Sequence, residues 1–320
     1  MPRRPVFAAF LAALAAATCH ASAEPAPSNR ALVAASSGHG CFRSTDGGLH
    51  WRAVPPPTGL SRWPRIISLV RNGARLAAVT PEGFFESRDG ASWSPSPHGP
   101  MPVLALCFQP ALNPDSAPFL WVSPDGIRLE RVPGTSAAPV PLPFPGAPSL
   151  AIFGEGEAGP RFLLVAAEDA WRACTEDGRS FLSHERLQGP VAGAVYGAGR
   201  FVVAGTGGWI DSSHDAQLWI HAPPLPGPVQ SLLWSGQRFV LSSDPRTWTS
   251  PDGIEWAPLV PPVPAPLKFV RENDSENLWI AGRVSQTWRS ADGLRWTPSS
   301  EPLPVEVEWV LDTHPDAPAP

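Results

Sequence analysis

The sequence has few of the residues on which many functional classes depend. Lys268 is its single lysine, Tyr196 is its single tyrosine, and only four cysteines occur among 320 residues. Acidic residues (29) outnumber basic ones (24), so the chain has no basic field that would hold a phosphate backbone, and we expect no nucleic-acid partner. No cysteine pair has the CxxC spacing of a zinc site, and we predict neither a metal nor a cofactor.

The cysteines also argue against a disulfide framework. If Cys19 leaves with an N-terminal signal, Cys41, Cys107 and Cys174 remain, an odd number at wide spacings. We therefore expect these three to be small buried side chains in strands, and we favour this over a single bridge.

Long apolar runs are missing except at the N-terminus. Arg3-Arg4 precede an apolar run at 6–17, and Ala21-Ser22-Ala23 fits a small-residue cleavage site. This pattern predicts a signal peptide at 1–23 and export to the periplasm or the exterior. The run is too short for a membrane anchor, and we predict no transmembrane segment in the mature chain. Lipidation at Cys19 is the alternative, although the threonine before it fits that pattern poorly.

Turn-forming residues are abundant, with 42 Pro and 28 Gly, yet the hydrophobic share is 43% and there are 14 Trp and 14 Phe. That much apolar surface predicts a folded chain, so the Pro and Gly belong mainly in turns. Few stretches are long enough for a helix, which favours an all-β fold.

A short pattern recurs along the chain: the first copy has the form S-x-D-x-G-x-x-W, the others close one residue sooner, and two of them are degenerate. The six segments are 44–51, 87–93, 175–181, 213–219, 250–256 and 290–296. Their defining residues are Ser44, Asp46, Gly48 and Trp51; Ser87, Asp89 and Trp93; Asp177 and Phe181; Asp215 and Trp219; Ser250, Asp252 and Trp256; and Ser290, Asp292 and Trp296.

A seventh copy of the pattern has been lost. Ser123-Pro124-Asp125-Gly126 looks like a copy, but it aligns better with Thr80-Pro81-Glu82-Gly83, an earlier turn of the same repeat. The lost copy then falls near Val132, and the spacings become 43, 43, 45, 38, 37 and 40 residues. This regularity supports the alignment.

Each repeat can be interpreted as four short strands separated by Gly, Pro and Asp turns, and repeats of about 40 residues indicate propeller blades. The first repeat lacks its innermost strand, while an extra strand-like run follows the last repeat at 305–311. We therefore predict a seven-bladed β-propeller of four-stranded antiparallel blades, closed by the C-terminal strand, which would remove an open edge. The expected segments are a linker at 24–30; blades at 31–55 with 305–313, 63–97, 101–142, 147–186, 189–222, 226–260 and 265–299; and a Pro-rich tail at 315–320.

The recurring pattern has a structural logic as a hairpin turn. Asp accepts hydrogen bonds from turn amides, Gly supplies a positive φ, and Trp covers the hairpin against the neighbouring sheet. In these residues the chain resembles the Asp-box (BNR) repeats of sialidase-like propellers, which include the photosystem II assembly factor. The resemblance implies the fold and says little about chemistry, since such propellers include enzymes, receptors and assembly factors.

A sialidase, by this resemblance, would need a clamp of three arginines and a tyrosine nucleophile with acidic partners. Tyr196 aligns with Trp234 of the next repeat, and an aromatic residue that recurs there indicates core packing. The Phe-Arg-Ile-Pro motif is absent, and Trp63-Pro64-Arg65-Ile66 is only a loose echo of it. We therefore do not expect sialidase activity.

Charged residues in the turns between second and third strands should share one face with the Pro-rich connections between blades. They could bind a ligand or, as converging carboxylates, perform acid/base chemistry, although ordinary solvated turns have the same composition. The candidates are Arg65, Glu82, Asp125, Glu168, Asp169, Asp244, Arg246 and Arg283.

The function that the sequence favours is binding. We expect an exported, monomeric, non-catalytic propeller that binds a protein or a surface polymer such as a glycan, as an assembly or scaffold factor. An envelope glycoside hydrolase is the alternative, and it requires at least two carboxylates or an arginine cluster in a central pocket.

Overall fold

The computed structural model describes residues 30–72, 75–96, 102–109, 118–130, 138–156, 159–260, 262–272, 277–283, 285–300 and 305–313. The predicted signal peptide, Cys19 and the lost box near Val132 lie outside them. Within these ranges every regular element is a β-strand. The same residues therefore contain no long apolar helix of the kind that crosses a membrane.

The strands form seven antiparallel sheets, each a blade of a propeller. Blade one contains β1 (Leu32–Ser36), β2 (Gly40–Ser44) and β3 (Arg52–Ala53). Blade two contains β4 (Ser68–Asn72), β5 (Arg75–Thr80), β6 (Gly83–Ser87) and β7 (Ser94–Pro95). Blade three contains β8 (Ala105–Phe108), β9 (Phe119–Ser123) and β10 (Gly126–Glu130). Blades four and five contain β11 (Leu150–Gly156), β12 (Gly159–Ala166), β13 (Trp171–Thr175) and β14 (Ser183–Arg186); and β15 (Val191–Gly197), β16 (Arg200–Gly205), β17 (Ile210–Ser213) and β18 (Ile220–Ala222). Blade six contains β19 (Val229–Trp234), β20 (Phe239–Ser243), β21 (Arg246–Ser250) and β22 (Ala257–Pro258). Blade seven contains β23 (Leu267–Glu272), β24 (Asn277–Arg283), β25 (Gln286–Ser290) and β26 (Thr297–Pro298). The last strand, β27 (Trp309–Asp312), joins blade one.

The seven blades close into a ring, as the sequence predicts. Each innermost strand contacts the innermost strand of the next blade, from β4 through β8, β11, β15 and β19 to β23, and β27 contacts both β23 and β4. In blade three the described residues give three strands, and an isolated bridge between Ile127 and Val140 adds an outer segment. The turn at Ser123–Gly126 joins β9 to β10, which confirms that it is not a box.

The C-terminal strand closes the ring by pairing with β1. Ala34 opposes Val310, and Leu32 opposes Asp312. The ladder is shorter than the sequence indicates, because it begins at Trp309 and not at Val305. Val305 and Val307 are nevertheless buried between blades seven and one, beside residues such as Leu278, Ile280, Phe42 and Trp51. Side-chain packing thus extends the closure beyond the paired backbone.

The three cysteines of the described chain are buried in strands and unbridged, which confirms the expectation for Cys41, Cys107 and Cys174. Burial raises the pKa of the Cys174 thiol to about 12. These thiols are therefore packing residues.

Successive blades are joined at the turns formed by the recurring pattern, which we call the box turns. In two blades an arginine directly before the box Ser reaches the carbonyl of the box Asp in the next blade. Arg43 Nε donates to the carbonyl oxygen of Asp89 at 2.9 Å, and Arg289 Nη1 donates to that of Asp46 at 2.9 Å. The second of these contacts runs from blade seven to blade one, so the box turns also contribute to ring closure.

One box has alanine, Ala216, at the position after the box Asp where the other boxes have glycine. This difference offers two opposite substitutions that can be compared. Ala216 adopts φ 57° where Gly253 in the next box has φ 72°. A methyl group on Gly253 would lie 2.5 Å from Cγ2 of Val202 in the preceding blade. We expect Gly253→Ala to cost about 2–5 kcal/mol, from left-handed backbone strain together with overpacking.

The reverse change, Ala216→Gly, should leave stability within about 1 kcal/mol, because relief of the positive φ offsets the loss of a buried methyl group. Urea unfolding of both variants checks this expectation. Equal destabilisation by the two changes would contradict it.

Candidate binding site

The propeller presents two different faces. The turns between first and second strands, such as Ser235–Gly236, lie with the box turns on one face, which we call the box face. The turns between second and third strands and the connections between blades lie on the other, which we call the linker face. These positions follow from the antiparallel strand order of each blade.

All of the candidate residues that the sequence suggests are exposed. Arg65 lies in the connection between blades one and two, and the others lie at turns between second and third strands: Glu82, Asp125, Glu168, Asp169, Asp244, Arg246 and Arg283. The structure therefore spreads them around the linker face, over several blades.

Asp125 serves its own hairpin. Nη1 and Nη2 of Arg128 donate to its carboxylate at 3.1 and 2.7 Å, and the hydroxyl of Ser123 donates to it at 2.5 Å. The bonds from Arg128, the largest cause, and from Ser123 hold the pKa of Asp125 well below its usual range. A carboxylate held in this way has no proton for acid catalysis at neutral pH.

Three other candidates come together. Asp244, Arg246 and Arg283 line a cleft of about 30 Å³ between blades six and seven, next to Gln230. Gln230 also lines the central channel, so the cleft and the channel are neighbours on the linker face. This group combines one acidic and two basic side chains from adjacent blades.

The central channel is the main concave feature around the propeller axis. Its cavity of about 320 Å³ is lined by the innermost strands of all seven blades. The interior wall is largely apolar, with Val70, Phe108, Ile152, Leu233 and Val310 among its residues. Apolar walls with a few polar groups at the opening are typical of binding pockets.

Polar side chains are concentrated where the channel opens at the linker face, and we call this opening the mouth. The mouth residues are Ser68, Ser149, Gln230, Ser231, Lys268 and Glu308. Glu308 is the one carboxylate among the described residues that line this cavity, and its Oε1 accepts a hydrogen bond from the backbone N–H of Ser37 at 3.0 Å. Among the described residues that line this cavity, Glu308 therefore has no second carboxylate beside it, whereas a two-carboxylate glycosidase site needs a pair.

Three adjacent blades carry a β-bulge at the mouth. The register of the first two strands shifts between Val191 and Gly193, between Val229 and Ser231, and between Leu267 and Phe269. The extra residues are Ala192, Gln230 and Lys268. Bulges re-aim side chains and are common beside functional sites, so one side of the mouth has a different geometry from the other.

The single lysine of the chain is part of this arrangement. Its side chain is 15% exposed, and Nζ lies 3.8 Å from Oε1 of Glu306. Burial is the largest influence and lowers the pKa of Lys268, while Glu306 and Glu308 oppose that shift. Sequence reasoning missed Lys268, Gln230 and Glu308, because a bulge within an apolar strand leaves no clear mark in the hydrophobic pattern.

Tyr196 is partly buried and packs against the core cluster of blades four and five, which agrees with the packing role that its alignment with Trp234 predicts. Its ring centroid is 4.8 Å from that of Phe201, and Trp234 lies 4.7 Å from Phe239 in the same way. Burial raises the pKa of Tyr196. These contacts are those of a packing residue rather than of a catalytic nucleophile.

The box turns share one hydrogen-bonding scheme that involves the Asp. In the second blade, Asp89 Oδ1 accepts bonds from the N–H groups of Ala91 and Ser92 at 2.8 and 3.0 Å and from the Ser87 hydroxyl at 3.1 Å. The other five boxes repeat these three bonds around their Asp. The scheme is local, and it explains the recurrence of the pattern by turn structure.

These bonds predict a dependence of stability on acid. Burial by itself would raise the pKa of Asp89, but the N–H and hydroxyl donors outweigh it and the pKa is lowered; Asp252 and Asp292 behave alike. A carboxylate whose pKa is depressed in the folded state stabilises the fold above its unfolded pKa of 3.8. That contribution is lost as the pH falls through the folded pKa.

Urea midpoints should therefore be flat above about pH 5 and fall below about pH 4. The combined Asn variant of Asp89, Asp252 and Asp292 should be less stable at pH 7 and should show a shallower acid slope. An unchanged slope would contradict this role.

The fold and the channel define a closed seven-bladed β-propeller with an open, apolar centre. No protein-family model matches the chain, and no curated protein matches it. Solved structures do match. A crystal structure of BBS1N in complex with ARL6DN has a TM-score of 0.58 at 12% identity, with 81% of this chain and 88% of that chain covered.

Two further propellers give similar matches. Sqt1 of Saccharomyces cerevisiae has a TM-score of 0.58 at 11% identity, covering 88% of this chain and 85% of that chain. YCF48 bound to D1 peptide has a TM-score of 0.53 at 13% identity, covering 78% of this chain and 88% of that chain. At these identities the likeness concerns the fold alone.

Proposed function

We propose that this chain is an exported, non-catalytic propeller that binds a segment of a partner protein at its linker face. The observation that carries the proposal is the mouth itself, where a polar rim built with three β-bulges surrounds an apolar channel. An apolar centre with a polar rim is the usual arrangement of a protein-binding surface. Two propellers of similar fold support the proposal, since their structures contain ARL6DN and a D1 peptide.

The rim and the cleft suit a segment that carries both charges. Lys268, Arg246 and Arg283 offer donors to carboxylates, while Glu308 and Asp244 offer acceptors to basic groups. Complementary charges at a rim speed the encounter and fix its orientation more than they add affinity. We expect binding to weaken as salt rises.

Site-specific photocrosslinking in the source cells tests the proposal. The full-length chain would carry a benzophenone amino acid at Gln230 in the mouth or, as the matched control, at Ile220, which is 46% exposed on the outer strand β18. We expect a discrete protein adduct from Gln230 that Ile220 does not give. A carbohydrate adduct would favour a surface polymer, and the absence of any adduct specific to Gln230 would overturn the proposal.

Export is a separate part of the proposal, supported by the N-terminal pattern at 1–23. Mass spectrometry of the protein recovered from its source should show a chain that begins at Glu24. A chain that begins at a lipidated Cys19 would make it a lipoprotein instead, and an unprocessed chain in the cytoplasm would contradict export.

A further inference from the structure

A second concave feature lies at the periphery of the ring, between blades one and two, and we call it the outer groove. Its volume is about 320 Å³, and Arg43, Asp46, His50, Arg52 and Ala91 are among the residues that line it. Arg52 belongs to β3, the outermost strand of blade one. Among the described residues, the outer groove and the central channel have no lining residue in common.

Two arginines face each other across this groove. Arg43 of β2 lies directly opposite Arg52 of β3 in the antiparallel ladder, so both side chains project from the same face of the sheet. Nε of Arg43 donates to the carbonyl oxygen of Asp89, which places this face against blade two. Like charges in directly opposed positions destabilise a sheet.

The corresponding strands of other blades do not oppose two like charges. In blade four, Arg172 lies opposite Glu185, and its Nε donates to Oε1 of Glu185 at 2.7 Å. In blade two, Glu86 lies opposite the neutral side chain of Ser94. The repeat itself therefore does not account for the two opposed arginines of blade one.

The carboxylates nearest to the two arginines have other partners. Oδ2 of Asp46 lies 2.5 Å from Nδ1 of His50, and its Oδ1 accepts two backbone N–H groups of its own turn. Oδ1 of Asp89 accepts three hydrogen bonds within the box turn of blade two. Among the described residues, Arg43 and Arg52 have no carboxylate at ion-pair distance. Both guanidinium groups are therefore available to an anion from outside the chain.

The chemistry of the two arginines favours a phosphate group. A carboxylate is matched by a single guanidinium group, which it binds through two parallel bonds. A phosphate ester has three outward oxygens and close to two negative charges, so it can bind two guanidinium groups at once.

The walls of the groove restrict the rest of the ligand. Its volume exceeds that of a phosphate group alone, and the small side chains of Ala53, Pro55 and Ala91 leave space for a short body attached to the phosphate. No large apolar side chain is exposed among the described lining residues, as insertion into a lipid surface would require. These features favour a small soluble ester over a lipid headgroup.

We propose that the outer groove binds a small soluble phosphate ester, with its phosphate group between Arg43 and Arg52. The site lies away from the mouth and goes beyond the proposed partner-binding function. A dianion between the two arginines offsets their mutual repulsion, and its binding stabilises the folded chain by mass action.

Isothermal titration of the full-length protein with glycerol 3-phosphate at low salt tests the site, with glycerol as the neutral analogue. We expect glycerol 3-phosphate to bind and to raise the melting temperature, and glycerol to do neither. Sedimentation with phosphatidylglycerol vesicles distinguishes the lipid source of the same chemistry. Absence of glycerol 3-phosphate binding would overturn the proposal, whether or not the vesicles bind.

Two charge reversals locate the ligand. Arg52→Glu places a glutamate opposite Arg43, as in the pair of Arg172 and Glu185, so the free protein should melt no lower than wild type. We expect this variant to lose affinity for glycerol 3-phosphate by about tenfold or more, because a charged hydrogen-bonding partner is lost.

The matched control is Arg186→Glu, which changes the net charge by the same amount on β14, the outermost strand of blade four. It should bind glycerol 3-phosphate as wild type does. Equal losses in Arg52→Glu and Arg186→Glu would indicate a long-range effect of net charge and would overturn the proposal, as would wild-type affinity in Arg52→Glu.

Discussion

Removal of residues 305–320 is expected to leave the chain unable to fold. Val305, Val307 and Val310 are 5%, 1% and 4% exposed and pack between blades seven and one. Fully burying one such side chain is worth about 1.5–3 kcal/mol, so the three together approach the whole stability of a typical domain, about 5–15 kcal/mol. The truncation also removes the Asp312 carboxylate, which accepts bonds from Arg30 and Arg271, and it exposes the edge of β1.

Expression and far-UV circular dichroism of the truncated chain measure this effect. The matched control ends at Thr313, which keeps β27 and removes only 314–320. We expect the control to keep the wild-type melting temperature and the truncation to be insoluble or unfolded. A folded, soluble chain without residues 305–320 would show that the ring is stable while open.

Asp211→Ala should be the most damaging single substitution at a boundary between blades. Asp211 and Arg172 are 2% and 3% exposed, and Arg172 Nη1 donates to Asp211 Oδ2 at 2.7 Å from the neighbouring blade. Arg172 also lies over the ring of Trp219, 3.6 Å from its centroid. Removal of the carboxylate leaves the buried guanidinium with Glu185 as its remaining acidic partner, whose Oε1 lies 2.7 Å from Nε. We therefore expect a cost near the lower end of the about 3–5 kcal/mol that breaking a buried ion pair takes.

The same carboxylate has an exposed partner that provides the control. Nδ1 of His221 lies 2.7 Å from Asp211 Oδ1, but the His221 side chain is 65% exposed. His221→Ala should therefore cost less than about 1 kcal/mol. Chemical unfolding of both variants gives the comparison, and similar losses would mean that the buried pair between blades is not the stabilising contact.

The number of blades can be predicted from the spacing of the recurring pattern. Each box turn is formed by hydrogen bonds within a few residues, so every blade that has a box turn carries a recognisable mark in the local sequence. Asp89 and Asp252 show the same local bonds, so short-range sequence carries the information. The return of the C-terminal strand was also predictable, since the first repeat lacks one strand and the tail supplies one. The start of β27 at Trp309 was not predictable from the sequence. Val305 and Val307 have the alternating pattern of a strand, but they are buried without pairing to another strand.

The candidate site was harder to predict than the fold. Charged turn residues such as Glu82 and Glu168 are easily found in the sequence, yet the structure leaves them exposed and dispersed. Lys268 and Gln230 lie within apolar strands, and only a bulge brings them to the mouth. Asp312 accepts hydrogen bonds from Arg30 and Arg71, which are more than 200 positions away, and no local pattern marks such contacts.

Hydrogen exchange of the intact protein tests the central claim, the closed ring, most directly. Because β27 pairs with β1 in blade one, the amides in Trp309–Asp312 that donate to β1 should exchange as slowly as those in Leu32–Ser36, and only through global unfolding. Mass spectrometry of peptides that span these two strands makes the comparison. Equal, strong protection is the predicted result, and exchange of Trp309–Asp312 within seconds while Leu32–Ser36 stays protected would contradict the account.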